Sequence, residues 1–226
     1  MTEHHSLDRP VWSALQSGWA SMAVGDHYAM RLHGDFGPFA AAVDGSPHNA
    51  ARLSSLLSGE EELWLVEADP PALPAGLKIR REATLHQMTA STITVSPASS
   101  EIVLLTADDA PDMIALAHLT VPGPFAARTY QLGRFLGVKE GGRLVAMAGE
   151  RMRLPGYAEV SGVCTHPDHR GKGYAAALMR AVAQNMLALG ETPFLHCYAS
   201  NLSAIRLYES LGFVFRRSMH LKIVAR

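Results

Sequence analysis

Two glycines and two basic residues follow an apolar segment in the last third of the chain. Val163-Cys164-Thr165 leads into a polar loop, and Arg170-Gly171-Lys172-Gly173 then opens an alanine-rich segment at Tyr174. A helix that begins after such a loop presents free backbone N–H groups and the positive end of its dipole to a ligand. The glycines allow a ligand to approach the backbone closely. The stretch therefore predicts a site for a phosphate group.

Neither of two common nucleotide-binding patterns is complete in this stretch. Residues 171–176 satisfy the dinucleotide pattern G-x-G-x-x-A, but that pattern needs an acidic residue at the end of the next strand. The next predicted strand ends in Tyr198-Ala199-Ser200-Asn201, which contains no carboxylate. The triphosphate pattern G-x-x-x-x-G-K-[ST] does not occur in the sequence. Neither nucleotide interpretation is therefore retained.

The same residues resemble the GNAT superfamily of acyl-CoA-dependent N-acyltransferases. Arg170-Gly171-Lys172-Gly173-Tyr174-Ala175 matches the family signature R/Q-x-x-G-x-G/A. Residues 201–213, NLSAIRLYESLGF, resemble a second family block, N-x-x-A-x-x-L-Y-x-x-x-G-F. The resemblance covers residues 101–226. It implies an α/β (α+β) fold with a mixed central sheet, helices on both faces, and two parallel strands that splay apart at the CoA site.

The resemblance also implies a co-substrate, acetyl-CoA or another acyl-CoA, and no metal. The CoA pyrophosphate would lie on the backbone amides of residues 170–175, and the pantetheine arm would follow the strand that ends at Thr165. Asn201 would cap the next helix and contact the co-substrate. The implied CoA-binding residues are Val163, Cys164, Thr165, Arg170, Gly171, Lys172, Gly173, Tyr174, Ala175 and Asn201.

Acyl transfer to an amine needs a base for the amine, a donor for the oxyanion and an acid for the leaving thiolate. Glu159 is the candidate base, since strand periodicity places it on one face with Val163 and Thr165 unless a bulge intervenes. Glu150 and a water chain are the alternatives. Tyr208 is the candidate acid, because a phenol of pKa about 10 can protonate a thiolate whose acid has a pKa of about 8.5. A backbone N–H near Val163 would hold the oxyanion.

Other chemistries have weaker support in the sequence. Cys164 and Cys197 have no base visibly paired with them, so we expect small apolar side chains rather than covalent nucleophiles. His166, Asp168 and His169 lie within one short loop without a distant partner, which is typical of a solvated turn rather than a metal site.

The elements around these residues follow the order β-α-α-β-β-β-α-β-α-β over residues 101–226. A second short helix is predicted at residues 125–132, and the helix after the phosphate loop at residues 174–189. Gly162 is a position where a bulge could begin the splay of the strands. A mixed sheet with helices on both faces follows from this order.

The first part of the chain carries no recognisable chemical motif. Residues 1–95 are predicted to form a separate α/β half that shapes the structure or the substrate site, and that could be a degenerate GNAT-like copy. Within this half, residues 77–88 fit either a strand or a helix. Residues 89–100 are the predicted linker to the catalytic domain at 101–226.

Composition limits the partners of the protein. A formal net charge of −1 gives no electrostatic reason to expect nucleic acid or an anionic membrane as partner. No apolar run reaches the roughly 18 residues of a membrane helix. Two cysteines are too few for a disulfide framework, so a reduced, cytoplasmic protein is expected.

Together these features predict an N-acetyltransferase. It would transfer an acetyl or short acyl group directly from acyl-CoA to a primary amine in a ternary complex. The alternative is a catalytically degenerate acyl-CoA-binding regulatory module. The acceptor would be a small-molecule or peptide amine, and the sequence leaves its identity, the acyl chain length and the oligomeric state open.

Overall fold

The computed structural model describes residues 5–59, 61–95 and 101–226. Its helices are α1 (Pro10–Leu15), α2 (Pro47–Leu53), α3 (Ala110–Thr120), α4 (Tyr174–Ala188) and α5 (Leu202–Leu211). Its strands are β1 (Ala23–Gly25), β2 (Ala29–Leu32), β3 (Ala40–Ala42), β4 (Leu63–Glu67), β5 (Lys78–Thr89), β6 (Val103–Leu104), β7 (Phe135–Glu140), β8 (Arg143–Leu154), β9 (Tyr157–Thr165), β10 (Thr192–Tyr198) and β11 (Val214–Ala225).

A mixed sheet forms the centre of the protein. Within the described residues its eight strands follow the order β4-β11-β5-β10-β9-β8-β7-β6, and β1, β2 and β3 form a separate antiparallel sheet. In this larger sheet β9 and β10 run parallel, and the other described neighbours run antiparallel.

Helices cover both faces of the sheet because neighbouring strand residues point to opposite sides. Ala146 and Ala148 of β8 pack in one apolar cluster with α4, whereas Met147 between them packs with α3. Farther along β8, Met152 packs with α1. The predicted mixed α/β sheet with helices on both faces is confirmed. In place of the second short helix predicted at residues 125–132, the chain forms a 3-10 turn at Thr129–Gln131.

Strands from both parts of the chain alternate in the central sheet. β5 lies between β10 and β11 and pairs antiparallel with both, so residues 78–89 form a strand rather than a helix. After β5, the Ala90 N–H donates to the Pro193 carbonyl at 3.0 Å. Residues 96–100 of the predicted linker lie outside the described residues. The division into a 1–95 half and a 101–226 domain stays a prediction.

The parallel strands β9 and β10 pair only where they begin. Their register runs from Tyr157 opposite Thr192 to Glu159 opposite Phe194, and it ends there. Both strands continue beyond this point, to Thr165 and to Tyr198, without pairing to each other. A gap therefore opens between the ends of two neighbouring strands in the middle of the sheet.

A bulge lies in β9 beside this gap. The register with β8 passes from Gly149 opposite Ser161 directly to Met147 opposite Cys164, so Gly162 and Val163 have no partner in β8. Gly162 has φ +62°, a left-handed conformation that glycine adopts without steric strain. The bulge predicted at Gly162 is present.

The bulge changes which side chains share a face of β9. Val163 packs on the α4 side of the sheet, as Val160 does, while Cys164 packs on the α3 side. The common face for Glu159, Val163 and Thr165, expected unless a bulge intervened, is not formed, because the extra residue inverts the alternation after Ser161. Glu159 therefore faces the side of the sheet opposite to Val163.

A buried ion network joins β8, β9 and β10 at the start of the gap. The Arg151 Nε and Nη2 atoms each donate to the Glu159 carboxylate at 2.8 Å, and His196 Nδ1 lies 2.8 Å from Glu159 Oε1. The Glu159 side chain is only 1% exposed. Burial alone would raise the pKa of Glu159, but the Arg151 charge and the hydrogen bonds from His196 and Arg151 lower it to about 2.

No helix in the described part of the chain is long and apolar enough to cross a membrane.

Neutralising Glu159 should destabilise the fold strongly. We expect Glu159→Gln to lower the free energy of unfolding by about 3–5 kcal/mol, because the Arg151 charge would stay buried without its counter-charge. Urea unfolding measures this difference. The matched control is Glu82→Gln, which removes an exposed partner of Lys222 (N···O 3.5 Å) and should cost less than about 1 kcal/mol.

The wild-type protein and Glu159→Gln should also differ in how their stability responds to acid. Because the folded-state pKa of Glu159 lies below the ordinary value of 4.5, its stabilising contribution is complete above that pH and is lost as the pH falls toward 2. Wild-type stability should therefore fall more steeply with acid in this window than that of Glu159→Gln. Parallel pH profiles would contradict the assignment.

Candidate active site

A cleft of about 670 Å³ lies where β9 and β10 diverge. It is lined by the ends of both strands, the start of α4 and one side of α5. Every implied CoA-binding residue except Lys172 lines it: Val163, Cys164, Thr165, Arg170, Gly171, Gly173, Tyr174, Ala175 and Asn201. The predicted acid, Tyr208, lines it as well. We call this space the donor cleft.

The loop before α4 leaves the helix N-terminus open to a ligand. Gly171 and Gly173 have φ values of +79° and +81°, and a Cβ added at either position would meet no atom within 4 Å. Gly173 is the N-cap of α4, which has no side-chain cap and no acidic residue in its first turn. The free N–H groups of this turn therefore face the donor cleft as a site for an anion.

The charge of Lys172 is directed away from the cleft. Its Nζ donates to both carboxylate oxygens of Glu140, at 2.9 and 3.1 Å, and the Tyr174 hydroxyl also donates to Glu140. The hydrogen bond from Tyr174 has the largest effect, and together with that from Lys172 it lowers the pKa of Glu140 to about 2. Sequence analysis missed Glu140 because it lies at the end of β7, far from the loop along the chain.

Helix α5 brings Asn201 and Tyr208 to the cleft. Asn201 Oδ1 accepts from the Ala204 N–H at 3.2 Å, so its predicted capping role is present. Tyr208 is mostly buried, and this burial, with Cys197 beside it, raises the pKa of its phenol to about 12. A phenol with this pKa keeps its proton at neutral pH, and the raised pKa also makes it a weaker acid than a free tyrosine.

A second, smaller cavity of about 120 Å³ meets the donor cleft at Pro122, Tyr198, Asn201 and Tyr208. We call it the inner cavity. The part of the chain before residue 95 supplies much of its wall: Phe39, Trp64, Val66 and Leu85. Arg151 and His196 also line it. The protein thus has two adjoining spaces, and Tyr208 borders both.

The predicted base, Glu159, lines neither space. Its carboxylate is covered by Arg151 and His196, and its pKa of about 2 makes it a poor proton acceptor. The contacts favour a role in holding Arg151 and His196 in place. Glu150, the alternative, pairs with Arg153 at 2.8 Å and also lines neither space.

His196 is a site residue that sequence analysis missed. The Gln87 amide nitrogen lies 3.0 Å from His196 Nε2, and because an amide nitrogen only donates, Nε2 is the acceptor. Nδ1 then carries the proton and donates to Glu159. Both ring nitrogens are therefore engaged in hydrogen bonds. The available signal was one polar residue in the otherwise apolar core of β10.

The remaining candidates take no part in this chemistry. Burial raises the pKa of Cys164 and of Cys197 to about 11, so both stay thiols at neutral pH and a covalent acyl-cysteine has no support. In the described residues, no group of three His, Cys, Asp or Glu side chains is placed to hold a metal ion.

Comparison with known proteins agrees with this geometry. The family model described as FR47-like protein matches residues 135–220. A solved GNAT-family acetyltransferase from Novosphingobium aromaticivorans is 50% identical over 99% of both chains, with a TM-score of 0.90.

More distant structures share the fold. A GCN5-related N-acetyltransferase from Kribbella flavida is 21% identical, with 95% and 94% of the two chains covered and a TM-score of 0.64. A GNAT-family acetyltransferase from Colwellia psychrerythraea is 12% identical over 100% and 99%, with a TM-score of 0.54. No functionally curated protein matched the sequence. On the full-length match at 50% identity, the chain belongs to the GNAT family of acetyltransferases.

Proposed function

We propose that this protein transfers an acetyl or another short acyl group from acyl-CoA to a primary amine, directly and within a ternary complex. The observation that carries the proposal is the meeting of the donor cleft with the inner cavity at Tyr208 and Asn201. A regulatory module that only binds acyl-CoA has no need for a second cavity at the reacting end of the cleft.

The donor cleft has the features that an acyl-CoA needs. The N–H groups at the start of α4 and the open faces of Gly171 and Gly173 suit a pyrophosphate. Val163 lies at the bulge, outside the register with β8 and beyond the last pair with β10. Backbone groups near Val163 are therefore available to pantetheine amides and to the oxyanion.

The reaction is a substitution at the thioester carbonyl. The neutral amine nitrogen attacks the carbonyl carbon, and the C–S bond breaks as the C–N bond is completed. Tyr208 donates its proton to the departing thiolate, the amine loses one proton to water, and water returns a proton to the Tyr208 phenolate. An amide and free CoA are the products, and atoms and charge balance.

Among the residues that the structure describes, no carboxylate lines the junction to act as base. Glu159 holds Arg151 and His196, and both nitrogens of His196 are engaged. We therefore assign deprotonation of the amine to water, the third of the alternatives left open by the sequence. Under this assignment kcat/KM for the amine should rise about tenfold per pH unit until the pKa of the free amine is reached.

Removing the Tyr208 hydroxyl should slow the chemical step. We expect Tyr208→Phe to lower kcat by a factor of about 10²–10⁴, with the KM for acetyl-CoA changed by less than about threefold. Stopped assays of thiol release measure both. Tyr130→Phe, which removes a phenol outside both spaces, is the control. An unchanged kcat in Tyr208→Phe would assign the acid role to another group.

A side chain at Gly173 should block the donor site. We expect Gly173→Leu to weaken CoA binding at least a hundredfold in titration calorimetry. Gly190→Leu is the matched control, since Gly190 follows the other end of the same helix with φ +77° and equally open surroundings. Both variants should lose similar stability, about 1–2 kcal/mol, from the left-handed backbone. Equal CoA affinity in the two variants would contradict the anion site.

Thiol release from acetyl-CoA with a panel of amines tests the activity itself. Release that requires an amine supports the proposed function. Tight CoA binding without release for any amine would favour the regulatory module.

A further inference from the structure

We propose that the inner cavity is the acceptor site, and that the acceptor is a primary amine joined by a short linker to a single uncharged apolar ring. This inference rests on the proposed function and deepens it by naming the acceptor class.

Most side chains that line the inner cavity are apolar or aromatic, and Arg151, His196 and Asn201 are its polar members. Its large apolar side chains come from β4, β5, β8, β11 and the segment before β3: Trp64, Val66, Leu85, Met152, Leu221 and Phe39. Such walls gain free energy by removing apolar ligand surface from water, and aromatic rings add edge contacts. A polar chain such as a polyamine or an amino sugar would lose more hydration than the few polar groups of this wall could replace.

The size of the cavity limits the ligand to one ring. The volume is about 120 Å³. A protein cavity of about 150 Å³ lined by apolar side chains is sufficient to hold benzene. Because the inner cavity also opens toward the donor cleft, a ring with a short linker can be accommodated.

The charges of the cavity select against a cationic acceptor. Among the described lining residues there is no Asp or Glu, and the one lining Arg, Arg151, is paired with Glu159 behind the wall. The Arg151 guanidinium also lies over the Phe39 ring, 4.7 Å from its centroid. A second ammonium group would meet this cation and find no carboxylate. The acceptor therefore carries no charged group besides the reacting amine, and that amine must lose its proton before it attacks.

The junction of the two spaces sets the direction of the ligand. The inner cavity meets the donor cleft at Tyr198, Asn201 and Tyr208. The amine must lie at this end to reach the thioester, so the ring points toward Trp64 and Leu85. An amine attached directly to the ring would lie too far from the thioester, so a short linker is needed between the ring and the amine.

The first experiment compares acceptors with the wild-type protein and acetyl-CoA. We expect kcat/KM for phenethylamine to exceed that for spermidine and for lysine by at least tenfold. A preference for spermidine or lysine, or no preference, would overturn the acceptor class while leaving the proposed function intact. Absence of turnover with every amine would instead contradict the proposed function.

The second experiment changes the wall. Trp64→Ala removes one side of the ring site, and we expect the KM for phenethylamine to rise about tenfold with the KM for acetyl-CoA unchanged. Phe215→Ala is the control, since it removes an exposed ring outside both spaces. If Trp64→Ala fails to fold, Leu221→Phe, which fills the cavity instead, should give the same rise. An unchanged KM for phenethylamine in the folded variant would overturn the proposal.

Discussion

Hydrogen bonding between β9 and β10 ends at Glu159 and Phe194, and the whole site depends on the divergence of the two strands after this pair. Two neighbouring strands that diverge leave backbone groups without ladder partners, and the sheet gains an opening through its middle. The donor cleft occupies one side of this opening, and the inner cavity adjoins it. Helix α5 follows β10 and places Asn201 and Tyr208 where the two spaces meet.

The buried network of Glu159, Arg151 and His196 fixes the positions of the three strands around this opening. It joins β8, β9 and β10 at the last paired position, so the divergence begins from a fixed point. Breaking a buried ion pair by removing one partner is costly, which favours a single arrangement of the three strands. Glu159, the candidate base in the sequence, thus contributes to the site by holding Arg151 and His196 in position.

The sequence predicted the parts of the site whose residues are close together in the chain. The loop before α4 and helix α5 each form from one continuous motif, so local spacing was sufficient to place these elements. Glu159 does not share a face with Val163, because a single-residue bulge at Gly162 inverts the alternation of the strand. Strand β5 was ambiguous because its pairing with β10 and β11 is a long-range contact, and propensity cannot decide such a segment.

Other features could not be predicted from the sequence, because they also depend on contacts between distant segments. Glu140 lies beside Lys172, and Trp64 lies beside Met152, only because distant segments are adjacent in the fold. The inner cavity combines side chains from the first 95 residues with side chains from residues 101–226, and no motif in either segment indicates it. The shape of the inner cavity is therefore determined by tertiary packing rather than by a motif in the sequence.

A crystal structure of the complex with CoA would show whether the diverging strands hold the donor next to Tyr208. We expect the pyrophosphate on the backbone amides from Gly171 to Ala175. We also expect the thiol sulfur within hydrogen-bond distance of the Tyr208 hydroxyl, and an inner cavity still open to an acceptor. A thiol that lies away from Tyr208, or a pantetheine arm that fills the inner cavity, would contradict the account.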